Sequence, residues 1–354
     1  MKRYRIASIP GDGIGHEVVP EGIRVLQKAA KVFGFEMEFN HFPWGCDYYS
    51  DSGVMMQQDG LELLSQYDAI FLGAVGRPDV PDHISLWQLL IPIRRSFKQY
   101  VNLRPVRLFA GVDCPLKNRE PHEIDFIIVR ENNEGEYSEI GGRLYRNTSS
   151  EMAVQESVFT KAGVDRVMQY AFSLAEKRPK KHITSATKSN GIIHTMPFWD
   201  ERFRAMASKH PDVRADQYHI DILTAHFVRH PDWFDVVVGS NLFGDILSDL
   251  GPAVAGSIGI APSANLNPDG AYPSMFEPVH GSAPDIAGKG VANPVGQIWS
   301  GAMMLEQLGE PTASQEIVSA IATVLQDGSF NTPDLGGNGD TAALGRAIET
   351  HLRK

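Results

Sequence analysis

Tyr4-Arg-Ile-Ala-Ser-Ile9-Pro-Gly11-Asp-Gly13-Ile-Gly15-His16 reads as a strand that runs straight into a tight turn and then a helix. The strand signal is the apolar and β-branched content of residues 4–9. Across residues 16–32, Val18, Val19, Ile23, Val25, Leu26, Ala29 and Ala30 recur at helical spacing. A strand–glycine–helix unit invites comparison with the dinucleotide-binding loop GxGxxG. Here the third glycine falls one position early, and no clear acidic strand end follows about 20 residues on. The reading is a turn that needs positive φ angles and lies near a ligand, not a Rossmann loop.

Working outward, β-rich runs stand at 35–39, 69–72, 126–129, 182–186 and 236–238. Helical stretches stand at 161–176, 198–209 and 315–325. Strands alternating with helices indicate an α/β protein. No Gly/Ser linker, low-complexity tract or internal repeat marks a domain boundary. Residues 251–294 are rich in Gly, Ala, Ser and Pro and poor in charge. They read as packed, irregular backbone around a ligand.

The chain has 354 residues, comfortable for two domains, and 42% hydrophobic content suffices for a large core. A net charge of −10 argues against nucleic-acid or anionic-membrane partners and leaves room for a local basic pocket. Cys46 and Cys114 are far apart with no CxxC spacing, as expected of reduced thiols in a cytoplasmic protein. No apolar run has signal-peptide character or approaches the ~20 residues of a membrane span.

Two aspartates stand four residues apart in Asn241-Leu-Phe-Gly-Asp245-Ile-Leu-Ser-Asp249. On a helix their Cβ atoms lie roughly 5–6 Å apart, and like charges there repel. Residues 231–288 contain no Lys or Arg, so the pair calls for a cation from elsewhere, with a divalent metal the obvious candidate. Carboxylate ligands, with Asp221 as a third, suit a hard cation such as Mg²⁺ or Mn²⁺ rather than Zn²⁺. The complement is residues 83–112, which lack acids but hold Arg94, Arg95, Lys98, Arg104 and Arg107, with Arg130 following the strand at 126–129. Guanidinium groups bind carboxylates through two parallel hydrogen bonds. A multiply anionic small substrate held beside a metal would use both windows. Taken singly, each residue has a plainer reading: a solvated basic face, a helix-start acid, a surface Lys188, a rim Tyr137.

The motifs taken together resemble the β-decarboxylating dehydrogenases, which act on isopropylmalate, isocitrate, homoisocitrate and tartrate/D-malate. The matching stretches are Ile9-Pro-Gly-Asp-Gly-Ile-Gly-His-Glu17, Asn102-Leu-Arg-Pro105, Val129-Arg-Glu-Asn132, the Asn241 to Asp249 segment, and Glu277-Pro-Val-His-Gly-Ser-Ala-Pro-Asp-Ile-Ala-Gly-Lys-Gly290. The resemblance implies an isopropylmalate/isocitrate dehydrogenase-like α/β fold. Residues 1–100 and 255–354 would form a large cofactor-binding domain, and residues 101–254 a smaller one with the dimer interface and metal site. It implies Asp245 and Asp249 as metal ligands, completed by Asp221 of the other subunit. Arg94, Arg104 and Arg130 would clamp the substrate. Tyr137 would protonate the enolate, and Lys188 of the other subunit would assist deprotonation of the C2 hydroxyl. The site would therefore be shared across a homodimer.

The same resemblance implies NAD at His280, Gly281, Ala283, Asp285, Ile286 and Asn293, with Asn190 near the nicotinamide. NADP-using relatives carry Lys-Tyr-like residues where Asp285 and Ile286 stand, and an acidic residue there repels a 2′-phosphate. Trp87 and Leu90 in Ser85-Leu-Trp-Gln-Leu-Leu-Ile-Pro-Ile93 should face the group on C3 of the substrate. Isopropylmalate enzymes have a Glu in place of Trp87, so this stretch looks most like the tartrate/D-malate branch, with 3-isopropylmalate as the alternative substrate. That branch also implies K⁺, for which the sequence offers no readable ligand. A non-catalytic relative is opposed by retention of Tyr137, Lys188 and the three aspartates.

Overall fold

The computed structural model describes residues 2–353. Its strands are β1 (Arg3–Gly11), β2 (Glu36–His41), β3 (Ala69–Ala74), β4 (Val101–Arg107), β5 (Asp125–Glu131), β6 (Gly141–Leu144), β7 (Met152–Gln155), β8 (His182–Thr187), β9 (Arg214–His219), β10 (Val236–Gly239), β11 (Pro262–Leu266) and β12 (Ser274–Pro278). Ten form one sheet in the order β2-β1-β3-β12-β11-β4-β5-β10-β8-β9, while β6 and β7 pair apart as an exposed arm. The four strands at one end are mutually parallel, and so are the four at the other. The pairings β12–β11, β11–β4 and β4–β5 are antiparallel. The sheet is mixed, two parallel ends joined through antiparallel pairs, and is not a Rossmann sheet, as expected from the glycine spacing.

The opening turn behaves as its glycines require. Gly11 and Gly13 have φ of +72° and +53°, where a side chain is strained. A Cβ on Gly13 would sit 2.1 Å from the Ser282 carbonyl oxygen. The turn thus packs directly on the loop after β12, and Ile14 N–H donates to that same oxygen at 2.9 Å. Buried Asp12 pins it by accepting from the Cys46 and Gly76 amides at 2.7 and 2.8 Å.

Residues 251–294 require a correction. They contain β11 and β12, two fully buried strands at the middle of the sheet. Pro262-Ser-Ala-Asn-Leu266 and Ser274-Met-Phe-Glu-Pro278 lack the β-branched run that announces a strand, because burial between neighbours decides their state. The polar strands β4 and β9 also went unread; β9 is a partly buried edge strand whose pairing with β8 alone decides its state. A core around Trp44, Leu72, Leu89, Ile93 and Phe97 seats the 86–96 segment that carries Arg94. Helix Asn241–Val254 lies against β4 and β5 so closely that a Cβ on Gly244 would stand 2.6 Å from Arg130 Cβ. That approach brings Asp245 to the arginines.

Candidate active site

Three arginines from separate elements converge on one cavity of about 540 Å³. Arg94 lies in the last turn of the short helix Ile91–Ser96, Arg104 on β4 and Arg130 on β5, and all are buried. Arg94 Nη2 donates to Glu277 Oε1 at 2.7 Å. Arg104 Nη1 donates to Ser248 Oγ at 2.5 Å. Arg130 donates to Asn241 Oδ1 from Nε at 3.1 Å and Nη2 at 2.7 Å, and to Asp245 Oδ1 from Nη1. The Nε groups of Arg94 and Arg104 are buried without a protein acceptor. Buried donors left open cost stability unless something accepts from them, so this clamp fits an anionic substrate. Burial pulls the Arg104 and Arg130 values down against the pull of Asp245, yet both guanidiniums stay charged at neutral pH.

The aspartate pair sits beside this clamp. Sequence reading sought a metal because no base lies nearby along the chain, but Arg130 and Arg104 supply positive charge across space. Arg104 Nη1 is 3.6 Å from Asp245 and 3.9 Å from Asp249. The two carboxyls part company. Burial pushes Asp245 up, but Arg130 and Arg104 outweigh it and hold it below the ordinary carboxylate range. Asp249 is 64% exposed, and only the desolvation of its inner edge raises it, with Arg104 opposing. Tyr137 lines the same cavity and donates from its hydroxyl to Asp245 Oδ2 at 2.8 Å. Burial and the Asp245 charge raise Tyr137, so it keeps its proton at neutral pH. Trp87 and Leu90 complete the wall, on a single π-helical turn, Leu86–Leu90.

Lys188 and Asp221 stand apart from that cavity, on a rim formed by the ends of β8 and β9. Lys188 Nζ donates to Asp221 Oδ1 at 2.7 Å, and this hydrogen bond lowers the Asp221 carboxyl. Asp221 is 67% exposed, and Asn190 lies in the exposed turn beyond Lys188. Among the described residues, no three metal-ligating side chains meet within one chain. Two hard carboxylates with an exposed edge nevertheless suit Mg²⁺ or Mn²⁺, which commonly takes one or two from a protein and fills its shell with substrate and water.

The third group is the loop after β12, where it meets the opening turn. The His280 ring keeps Nε2 buried without a partner, and burial lowers its value. An enclosed, unpaired ring nitrogen next to glycine-rich backbone fits a polar cofactor atom. Ala283 adopts φ of +40°. Asp285 and Gly281 are exposed and Ile286 half-buried. Asn293 Nδ2 donates to Asp334 Oδ2 at 3.0 Å. Glu17 ties this loop to the first helix by accepting from Gly288 and Gly290 amides at 2.7 and 2.8 Å.

Sequence reasoning passed over Glu277, Asn241 and Glu17 as participants, though all lie inside the quoted motifs. It also missed Glu136, which accepts from Ser240 Oγ and Leu242 N–H at the start of the aspartate helix.

The isocitrate/isopropylmalate dehydrogenase family model matches residues 5–348, and the chain belongs to this family of oxidoreductases. It is 60% identical over 355 residues, 98% of both chains, to D-malate dehydrogenase [decarboxylating] of Escherichia coli (strain K12). It is also 60% identical over 359 residues to tartrate dehydrogenase/decarboxylase of Pseudomonas putida, covering 99% of this chain and 98% of that one. Among solved structures, isocitrate dehydrogenase from Methylococcus capsulatus superposes with a TM-score of 0.89 at 33% identity, covering 99% of this chain and 100% of that one.

Proposed function

We propose that the protein is an NAD- and divalent-metal-dependent dehydrogenase of small 2-hydroxy dicarboxylates. It converts D-malate to pyruvate and CO₂ with reduction of NAD⁺ to NADH, and it oxidises tartrate. The observation that carries this reading is the convergence of three buried arginines, Asp245 and the Tyr137 hydroxyl on one cavity, with Asp249 one helical turn on and 3.9 Å from Arg104. When bound, the metal supplies Lewis acidity to the hydroxy acid, and NAD⁺ supplies the hydride acceptor.

Asp245 and Asp249, with Asp221 of the partner subunit, would hold the metal. Arg94, Arg104 and Arg130 bind the substrate carboxylates and fix its orientation. Lys188 from the partner assists removal of the C2 hydroxyl proton, with Asp221 as its hydrogen-bond partner. After CO₂ leaves, the Tyr137 hydroxyl delivers a proton to C3. Asn190 and the residues from His280 to Asn293 hold the cofactor, and exposed Asp285 favours NAD over its 2′-phosphorylated form.

The homodimer is supported by the position of Lys188 and Asp221 outside their own chain's cavity. It is also supported by the exposed apolar side chains of the arm, among them Ile140, Leu144, Tyr145 and Met152. The division at residues 1–100 with 255–354 against 101–254 is supported by the sheet, whose two ends draw their strands from these two sets. We place the enzyme in the cytoplasm, with K⁺ as an activating ion in keeping with the branch it resembles; no described helix is long and apolar enough to cross a membrane.

The test is NADH formation from D-malate and tartrate, with and without Mn²⁺ and K⁺. Absence of turnover on both, beside brisk turnover of 3-isopropylmalate, would overturn the substrate assignment in favour of the alternative that apolar Leu90 and Ile91 keep open.

A further inference from the structure

Arg95 follows Arg94 in sequence but sends its guanidinium to different partners. Nη2 donates to the Tyr137 carbonyl at 2.9 Å, and Nη1 to Glu139 Oε2 at 2.6 Å. Its Cζ lies 5.0 Å from the centre of the Trp87 ring. Three parts of the pocket therefore meet on one side chain: the π-helical turn with Trp87, the loop with Tyr137, and the root of the β6–β7 arm. No other side-chain hydrogen bond or ion pair among the described residues joins residues 86–95 to residues 133–139.

We propose that Arg95 is a positioning residue that locks the Tyr137 loop to the Trp87 turn, setting both the delivery of the proton and the room left at C3 of the substrate. This rests on the functional reading above. The planar guanidinium suits the task because it offers two divergent donors and a face for the indole at once, which an ammonium cannot. Its ion pair with Glu139 is largely exposed, 31% and 69% for the two side chains, so little stability depends on it. Its weight falls on geometry instead: displacement of a reacting group by about 1 Å costs on the order of 10²-fold in rate. Trp87 held by Arg95 also walls the pocket. A hydrogen or hydroxyl on C3 is accepted, and a branched alkyl group is disfavoured.

The experiment compares Arg95→Ala and Arg95→Lys with the wild-type protein, using steady-state kinetics on D-malate and 3-isopropylmalate. Backbone amide exchange at residues 137–139 is measured without substrate. Arg95→Ala is expected to lower kcat on D-malate by roughly 10- to 100-fold with KM changed by less than about threefold. It should raise the 3-isopropylmalate to D-malate ratio several-fold and speed exchange at 137–139. Arg95→Lys should recover only part of each effect. A kcat within about twofold of wild type, a loss confined to KM, or unchanged exchange would each overturn the proposal. If the wild-type protein turned over neither D-malate nor tartrate, the functional reading would fall, and the exchange comparison would still decide the role of Arg95.

Discussion

Asp245 and Asp221 both lie early in helices, and their surroundings are opposite. Asp245 is gripped by Arg130, approached by Arg104 and hydrogen-bonded by Tyr137. Asp221 has Lys188 alone and faces outward. The chain completes one set of reactive groups within itself and presents the other on its surface. The contrast separates what folding assembles from what association is proposed to assemble. A residue of the inner set answers to the packing of β4, β5 and helix Asn241–Val254. In the proposed dimer, a residue of the outer set answers to a second chain.

The largest effect tests that division directly. Tyr137→Phe and Lys188→Ala should each lower turnover by about 10²- to 10⁴-fold. Co-expressed, they should regain roughly a quarter of wild-type activity, because a mixed dimer carries one site with both groups intact. Absence of rescue would place Tyr137 and Lys188 in one subunit's site and break the contrast.

The next effect is on stability. Arg130→Met should lower the unfolding free energy by about 3 kcal/mol, the lower end for a broken buried pair, since Arg104 still screens a carboxyl that is one-third exposed. Lys188→Met should change it by no more than about 0.5 kcal/mol. Urea denaturation of the two variants measures both, and equal losses would refute an inner and an outer set.

The smallest effect concerns Glu131, directly behind Arg130 in β5. Burial raises its carboxyl to about 8 against an ordinary 4.5. The folded state holds that proton more tightly than the unfolded chain, so the contribution is complete below 4.5 and drains away as pH rises through 8. Glu131→Gln should therefore gain on the wild-type protein by about 1–2 kcal/mol between pH 6 and pH 9. Thermal melts across that range would show parallel curves if the buried carboxyl were ionised throughout.

Much of this was legible in the sequence where the signal is local. The early third glycine excluded a Rossmann loop because turn geometry depends on adjacent residues. The i,i+4 aspartates announced a charge problem because a helix brings them to one face. Its solution was illegible: Arg130 and Asp245 meet only because Gly244 lets a helix approach β5. Glu277 escaped notice, and Arg95 reads only as one member of a basic window, for the same reason: their partners are distant along the chain or lie on backbone. Strands β11 and β12 escaped because their composition is that of a loop, and only their place between neighbours makes them strands.

The strand order also has a consequence for synthesis. Strands β4, β5, β10, β8 and β9 are adjacent in the sheet and all lie between residues 101 and 239. They can pair as soon as that length has left the ribosome. Strand β3, made earlier, stays an open edge until β12 arrives at residues 274–278. The first part of the chain to be made is thus among the last to close, and an unpaired apolar edge must be kept from other chains throughout that interval.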